Sequence, residues 1–335
     1  GGNYNVAVGD EAGTAITTGD GNNFFGYGAG ALTVAASYNV GIGDSALAAN
    51  VATGNTAVGS ASMSSTTSGH SNVAMGVEAG RFLTTGLRST FIGYKAGQGI
   101  TGTKLTGNDN TAIGFEAGKI LQGSASTNTL VGAYAGDALT TSSYNTAVGF
   151  EALSTAVAYS GNTALGYRSL KTNSAGYYNT AVGHDSLFSN VDGLYNVAVG
   201  HKAGEFATTA DNSTFLGYQA GKGITGVKLT GNHNTAVGKD AGLLLQGAAA
   251  ENCIFGSLAG DAITTGGENC LFGMGAGGGI QTSIRNTFIG DDCGNAVTTG
   301  DSNVAMGHVA MGQGITTGDY NIAIGHYAGM NITSG

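Results

Sequence analysis

The five-residue word Asn-Thr-Ala-Val-Gly constrains this chain more than any other feature. It stands at Asn145–Gly149, Asn162–Gly166 (with Leu for Val), Asn179–Gly183 and, as Asn-Val-Ala-Val-Gly, at Asn196–Gly200. The step is 17 residues each time. Worn copies run from Asn5-Val6-Ala7-Val8-Gly9 to Asn321-Ile322-Ala323-Ile324-Gly325. A fixed period near 20 residues marks stacked structural repeats, in which each unit buries its apolar face only against its neighbours. Counting the Gly that closes each word as an anchor predicts nineteen coils, Gly9 to Gly325, mostly 17 residues apart. The longest steps are the 21 residues from Gly93 to Gly114 and from Gly217 to Gly238. The fold expected is therefore all-β: a parallel β-solenoid or β-roll over residues 1–335, read as one repeat domain and as a segment of a longer chain.

The residue before each anchor is large and apolar (Val8, Phe25, Ile42, Met75, Leu216, Phe272). Two before it stands Ala or a large apolar residue (Ala7, Phe24, Ala57, Phe91, Leu130, Phe288). A β-branched residue usually precedes these, which makes the word a short strand. Successive strand side chains face opposite sides, so apolar residues at adjacent positions ask for cover on both faces. The inside of the coil covers one. The obvious cover for the other is a second copy of the chain.

Three residues after the anchor the side chain is small, as at Ala12, Ala29, Ala79, Ala152 and Ala328. The next position alternates in kind. Where it is Gly (Gly13, Gly80, Gly118, Gly136), an apolar residue follows three later (Ile16, Leu83, Leu121, Leu139). Where it is Leu or Met (Leu47, Met63, Leu153, Leu170, Leu187), the later position is polar or small (Asn50, Thr66, Ala156, Asn173, Asn190). One large side chain per coil from either of two places is volume compensation in a close-packed interior. Coils close through Thr-Thr-Gly, as at Thr264-Thr265-Gly266, where Gly is expected to supply a positive φ for the corner. The repeated Asn, including Asn145, Asn162, Asn179 and Asn196, is expected to form a structural amide ladder along the axis. A longer period overlies the short one. The stretch Ser89–Gly93 and its Lys104 loop recur 124 residues on as Ser213–Gly217 and the Lys228 loop, which divides the chain into blocks of about 89–212 and 213–335. The insertions are expected as matched bumps roughly 34 Å apart on a rod on the order of 90 Å long, at about 4.8 Å per coil.

These words resemble the head repeats of trimeric autotransporter adhesins, as in Asn72-Val73-Ala74-Met75-Gly76 with Ala79 and Asn303-Val304-Ala305-Met306-Gly307 with Ala310. Similar words occur in phage tail fibres. The resemblance covers nearly the whole chain. It implies a left-handed β-roll and a homotrimer of side-by-side chains around a threefold axis, whereas the general crossover rule would favour the opposite hand. The coils here are longer than the usual head repeat by a Thr-Thr-Gly corner, and no binding residue of the family maps onto a position of this chain.

Composition narrows function by exclusion. The formal net charge is −9, from 12 basic and 21 acidic residues, which argues against nucleic acids and anionic membranes as partners, since each needs a basic footprint. No run of 18 apolar residues is present, so no membrane span is expected. Neither a Ser/His/Asp order nor a phosphate loop followed by a helix occurs, and no enzyme and no cofactor are expected. His184 and His201 share one repeat position in adjacent coils, as do His308 and His326, but no third ligand is evident and no metal site is expected. Cys253 and Cys270 are also one coil apart, within disulfide reach, and are read as small apolar fillers. The candidate contacts are Tyr177, Tyr178 and Tyr195, beside the repeated Asn, and Lys104 and Lys228 in the insertions. Exposed tyrosine rings suit sugar stacking; the alternative is that they cover the coil corner. The expectation is a non-enzymatic extracellular fibre segment at a cell surface or on a virion tail fibre, attaching to a host-cell surface glycan or protein. The other candidates are a phage tail-fibre shaft and an ice-binding solenoid with Thr rows at its corners.

Overall fold

The computed structural model describes residues 1–155, 159–314 and 316–333; Ala156, named above among the compensating positions, lies outside them. The described residues form a parallel β-solenoid of nineteen strands, each three residues long. It divides into two compact units, 1–165 and 166–335. The first holds ten strands, from β1 (Val6–Val8) to β10 (Thr163–Leu165). The second holds nine, from β11 (Thr180–Val182) to β19 (Ile322–Ile324).

Within each unit the strands pair in parallel with the word in register. Thr146, Ala147 and Val148 lie opposite Thr163, Ala164 and Leu165, and Cys253, Ile254 and Phe255 lie opposite Cys270, Leu271 and Phe272. Coil-to-coil hydrogen bonds also run through the turns. The Gly118 N–H donates to the Ala135 carbonyl (2.9 Å) and the Tyr134 N–H to the Phe115 carbonyl (2.9 Å). The turns are thus held axially as the strands are, which explains how three-residue strands suffice.

Each coil packs its interior from three places. The middle strand residue points inward and is buried in every strand but β1. The small residue three after the anchor is buried in every coil but the last, at Ala328; where it is Ser, its hydroxyl reaches the next coil, Ser169 Oγ donating to the Ala181 carbonyl (2.9 Å) and Ser186 Oγ to the Ala198 carbonyl (3.0 Å). The third contribution is the compensating pair. A Cβ on Gly136 would lie 2.7 Å from Leu139 Cδ1, and one on Gly13 would lie 2.9 Å from Ile16 Cδ1. The later side chain fills the volume that the earlier one would take. Where Leu replaces Gly, it accepts the left-handed backbone (Leu47 φ 53°, Leu153 φ 54°, Leu170 φ 50°) and is wholly buried. That strain, about 1–2 kcal/mol, is offset by burying the side chain, about 1.5–3 kcal/mol.

Glycine's role at the corner differs from the expectation. Gly266 does not have a positive φ; a Cβ there would lie 2.5 Å from the Ser283 carbonyl oxygen of the next coil. Close axial stacking, not dihedral freedom, excludes a side chain. Positive φ is instead adopted just before the repeated Asn, at residues as unlike as Tyr38 (φ 61°), His233 (φ 59°) and Glu268 (φ 57°). The anchor meets both demands: Gly114 has φ +136°, and a Cβ on it would lie 2.5 Å from the Gly132 carbonyl oxygen.

The two insertions keep the stack continuous beneath them. Leu105 forms bridges with Leu83 and Gly123, and Leu229 with Ala207 and Gly247. Both leucines are fully buried, while residues 101–104 and 225–228 stay exposed. Four extra residues are thereby pushed outward without breaking the core.

Candidate assembly and binding surface

The strand geometry lays out one surface. With the middle residue inward, the residues on either side of it point outward. The residue before the anchor is large and apolar in all nineteen coils, and none of them is buried. Phe25 is 41% exposed, Met75 48%, Leu165 45% and Phe272 54%. The first strand position adds Val6, Val73 and Val197, also exposed. Each unit therefore presents an apolar stripe one residue wide per coil, in line with the strands. Single exposed apolar residues are ordinary; an unbroken contiguous row marks an interaction surface.

A second row flanks it, one or two residues after the anchor; of this row the sequence reading found only the two histidine pairs. In the first unit Tyr94 stacks on Phe115 (centroids 5.3 Å, 20°), Phe115 meets Tyr134 edge-on (5.3 Å) and Tyr134 meets Phe150 (6.0 Å). In the second unit the row runs Tyr167, His184, His201, Tyr218, at 4.7, 5.1 and 5.4 Å. The signal was available: aromatic residues follow the anchor at Gly93, Gly114, Gly149, Gly166, Gly183, Gly200 and Gly217. Charges border the rings. Lys95 Nζ lies 5.0 Å over Tyr94, and Arg168 lies 5.5 Å over Tyr167 while approaching Asp185 at 3.4 Å.

The predicted tyrosines form one patch. Tyr178 stacks on Tyr195 (5.5 Å, 18°), and Tyr177 meets both edge-on at 5.3 and 5.8 Å. Tyr178 is 57% exposed and Tyr195 49%, so more than a cover for the corner is on display. Lys104 and Lys228 sit exposed on the insertions, and no hydrogen bond, ion pair or ring contact joins either to the patch among the described residues. Beside the second insertion lies a shallow groove of about 210 Å³, lined by Phe206, Lys222, Ile224 and Leu243 among others.

The repeated Asn at 145, 162, 179 and 196 is fully buried and hydrogen-bonded along the stack. Asn145 Oδ1 accepts from the Asn162 N–H (3.0 Å), and Asn179 Oδ1 from the Asn196 N–H (3.0 Å). The amide nitrogens reach the same following coil, Asn179 Nδ2 donating to the Gly193 carbonyl (2.8 Å) and Asn196 Nδ2 to the Ala210 carbonyl (2.6 Å). Corner threonines are engaged in the same direction: Thr67 Oγ1 donates to the Thr84 carbonyl (3.3 Å) and Thr264 Oγ1 to the Gln281 carbonyl (3.0 Å). Cys253 and Cys270 are free thiols at paired outward positions, and burial, with Cys270 adding to it, raises the Cys253 pKa. Among the described residues no three His, Cys, Asp or Glu gather to hold a metal ion, and no helix is long and apolar enough to cross a membrane.

No protein-family model matches the chain, and no curated protein matches it.

Proposed function

We propose that this chain is a segment of a non-enzymatic extracellular fibre, of the kind whose trimeric adhesin head repeats its words resemble, and that it mediates attachment to a cell or surface. Three copies pack side by side through the outward strand face. The observation that supports this is the row of large apolar residues before the anchors in each unit, uncovered in the single chain. The threefold count comes from the resemblance; the need for cover comes from the row. Burying apolar area releases about 25 cal/mol per Å², and a row repeated in every coil adds that gain coil by coil. The rings and the insertions then lie at the flanks, where three copies multiply weak contacts with a surface glycan or protein.

The test is the molar mass of the segment in solution by light scattering. A mass three times the 33.0 kDa of one chain is expected, and a monomer would overturn the proposal. A phage tail-fibre shaft makes the same use of this geometry, and a glycan array on the trimer addresses both, with Tyr178→Ala and Tyr195→Ala expected to weaken any signal carried by the patch. The ice-binding alternative receives no support from the corners, because the Thr67 and Thr264 hydroxyls already donate to neighbouring coils.

A further inference from the structure

Four histidines lie in the row after the anchor, as two pairs, and the pairs differ. His184 and His201 are held between other rings, Tyr167 on one side and Tyr218 on the other, and His184 Nδ1 faces Asp185 Oδ2 at 3.1 Å. In the second pair the ring nitrogens themselves meet: His326 Nε2 is 3.1 Å from His308 Nδ1. The other nitrogen of His308, Nε2, lies 3.7 Å from Asp291 Oδ2, one coil earlier in the same row. A carboxylate at Nε2 favours the tautomer protonated there, which leaves a lone pair on His308 Nδ1, the atom that faces His326.

The separation suits a shared ion. Metal–nitrogen bonds of about 2.0–2.1 Å place two adjacent ligands about 2.9 Å apart in an octahedral site and about 3.4 Å apart in a tetrahedral one. The observed 3.1 Å falls between them. Both rings are exposed, which leaves room for water in the remaining positions. We propose that His308 and His326 form a two-imidazole site for a divalent transition ion of the zinc or nickel class, with Asp291 as a positioning residue. On binding, the His326 proton moves from Nε2 to Nδ1, so both ligating nitrogens are neutral donors and no oxidant or reductant is involved. The ion joins two successive coils through their side chains. It requires no third protein ligand, in keeping with the absence of a three-residue cluster among the described residues.

Zinc chloride titrated into the whole chain by isothermal calorimetry tests this. One binding event per chain is expected, lost in His308→Ala and in His326→Gln, both surface changes whose folding is checked by circular dichroism. Asp291→Asn is expected to weaken zinc affinity by about 10- to 100-fold, the usual effect of removing a carboxylate behind a ligating histidine, at unchanged stoichiometry. Asp291→Glu, which keeps the carboxylate, should recover most of that loss. His201→Ala should leave binding unchanged. The proposal is overturned by the absence of binding in the wild-type chain, by His326→Gln binding as the wild type does, or by His201→Ala removing as much affinity as His326→Gln.

Discussion

The Asn ladder supports a quantitative prediction at Asn128. Its Oδ1 accepts from the Asn145 backbone N–H (3.1 Å) and from Asn145 Nδ2 (3.2 Å). Its Nδ2 donates to the Ser142 carbonyl (2.9 Å) and to Asn110 Oδ1 (3.0 Å). In Asn128→Ala two of these four partners keep another bond: Asn145 Nδ2 still reaches the Tyr159 carbonyl (3.1 Å), and Asn110 Oδ1 still accepts from the backbone N–H of residue 128 (3.2 Å). The other two, the Asn145 N–H and the Ser142 carbonyl, lose the side-chain bond inside the stack. Each orphaned buried group costs about 1–3 kcal/mol, so the substitution should cost about 2–6 kcal/mol in total. Asn128→Ser should cost less. The ladder already carries serine twice, at Ser89 and Ser213, whose hydroxyls accept from the Asn110 and Asn234 N–H groups (3.2 Å each). Because a solenoid need not unfold in one step, the assay is local: hydrogen exchange of the peptide that spans residues 128–149, alongside the urea midpoint. Loss of protection at Asn145 is expected in the Ala variant, with partial protection in the Ser variant. Unchanged protection in Asn128→Ala, or equal damage by the two substitutions, would refute the reasoning.

Three further outcomes follow from the same geometry. Val148→Asp places a charge in the outward apolar row and should leave the chain unassembled, at the mass of one chain by light scattering; a soluble, correctly assembled mutant would sink the assembly proposal. Gly114→Ala adds a Cβ at φ +136° and 2.5 Å from the next coil's carbonyl oxygen, so it should cost about 3 kcal/mol or more, and a wild-type urea midpoint would contradict the account of the anchor. Burial, reinforced by Glu116 and Glu151, pushes the Asp137 carboxyl up to about 6 from 3.8. The native chain then holds a proton that the unfolded chain has released, so stability falls as pH rises from about 4 to about 6 and stays reduced above. Asp137→Asn should remove that slope and raise stability at pH 7 by on the order of 1–3 kcal/mol; an unaltered pH profile would argue against it.

The solenoid was legible because its rules repeat. The word, its 17-residue step and the Gly-or-Leu alternation each recur many times, and each recurrence constrains the same core. The insertions were legible in part. Their length showed where they project, but not that Leu105 and Leu229 turn back to fill the stack and pair with neighbours on both sides. The corner glycine illustrates why the remainder was hidden. A Gly in a turn can be required by a dihedral angle or by proximity to another backbone, and a single coil read alone cannot separate the two. Only the stacked coils bring the Ser283 carbonyl against Gly266 and show that proximity is the cause.

The aromatic row after the anchors was missed for a related reason. In a short strand one asks which side a residue faces, and the residue after the anchor belongs to no strand. Its direction depends on the anchor's φ, near +130° in coil after coil, which no L-residue adopts freely. That one torsion turns the chain so that Tyr94, Phe115 and Phe150 rise along the axis rather than point outward at random. The anchor glycine therefore does two things at once: it lets successive coils approach, and it aims the next side chain into a column. The row ought thus to be sensitive to the anchor beneath it. Gly93→Ala should disturb Tyr94 and its contact with Phe115, detectable as a change in the near-ultraviolet circular dichroism of these rings, whereas Gly290→Ala, with Asp291 next in the chain, should leave that signal unchanged. Equal near-ultraviolet spectra for both variants would separate the column from its anchor.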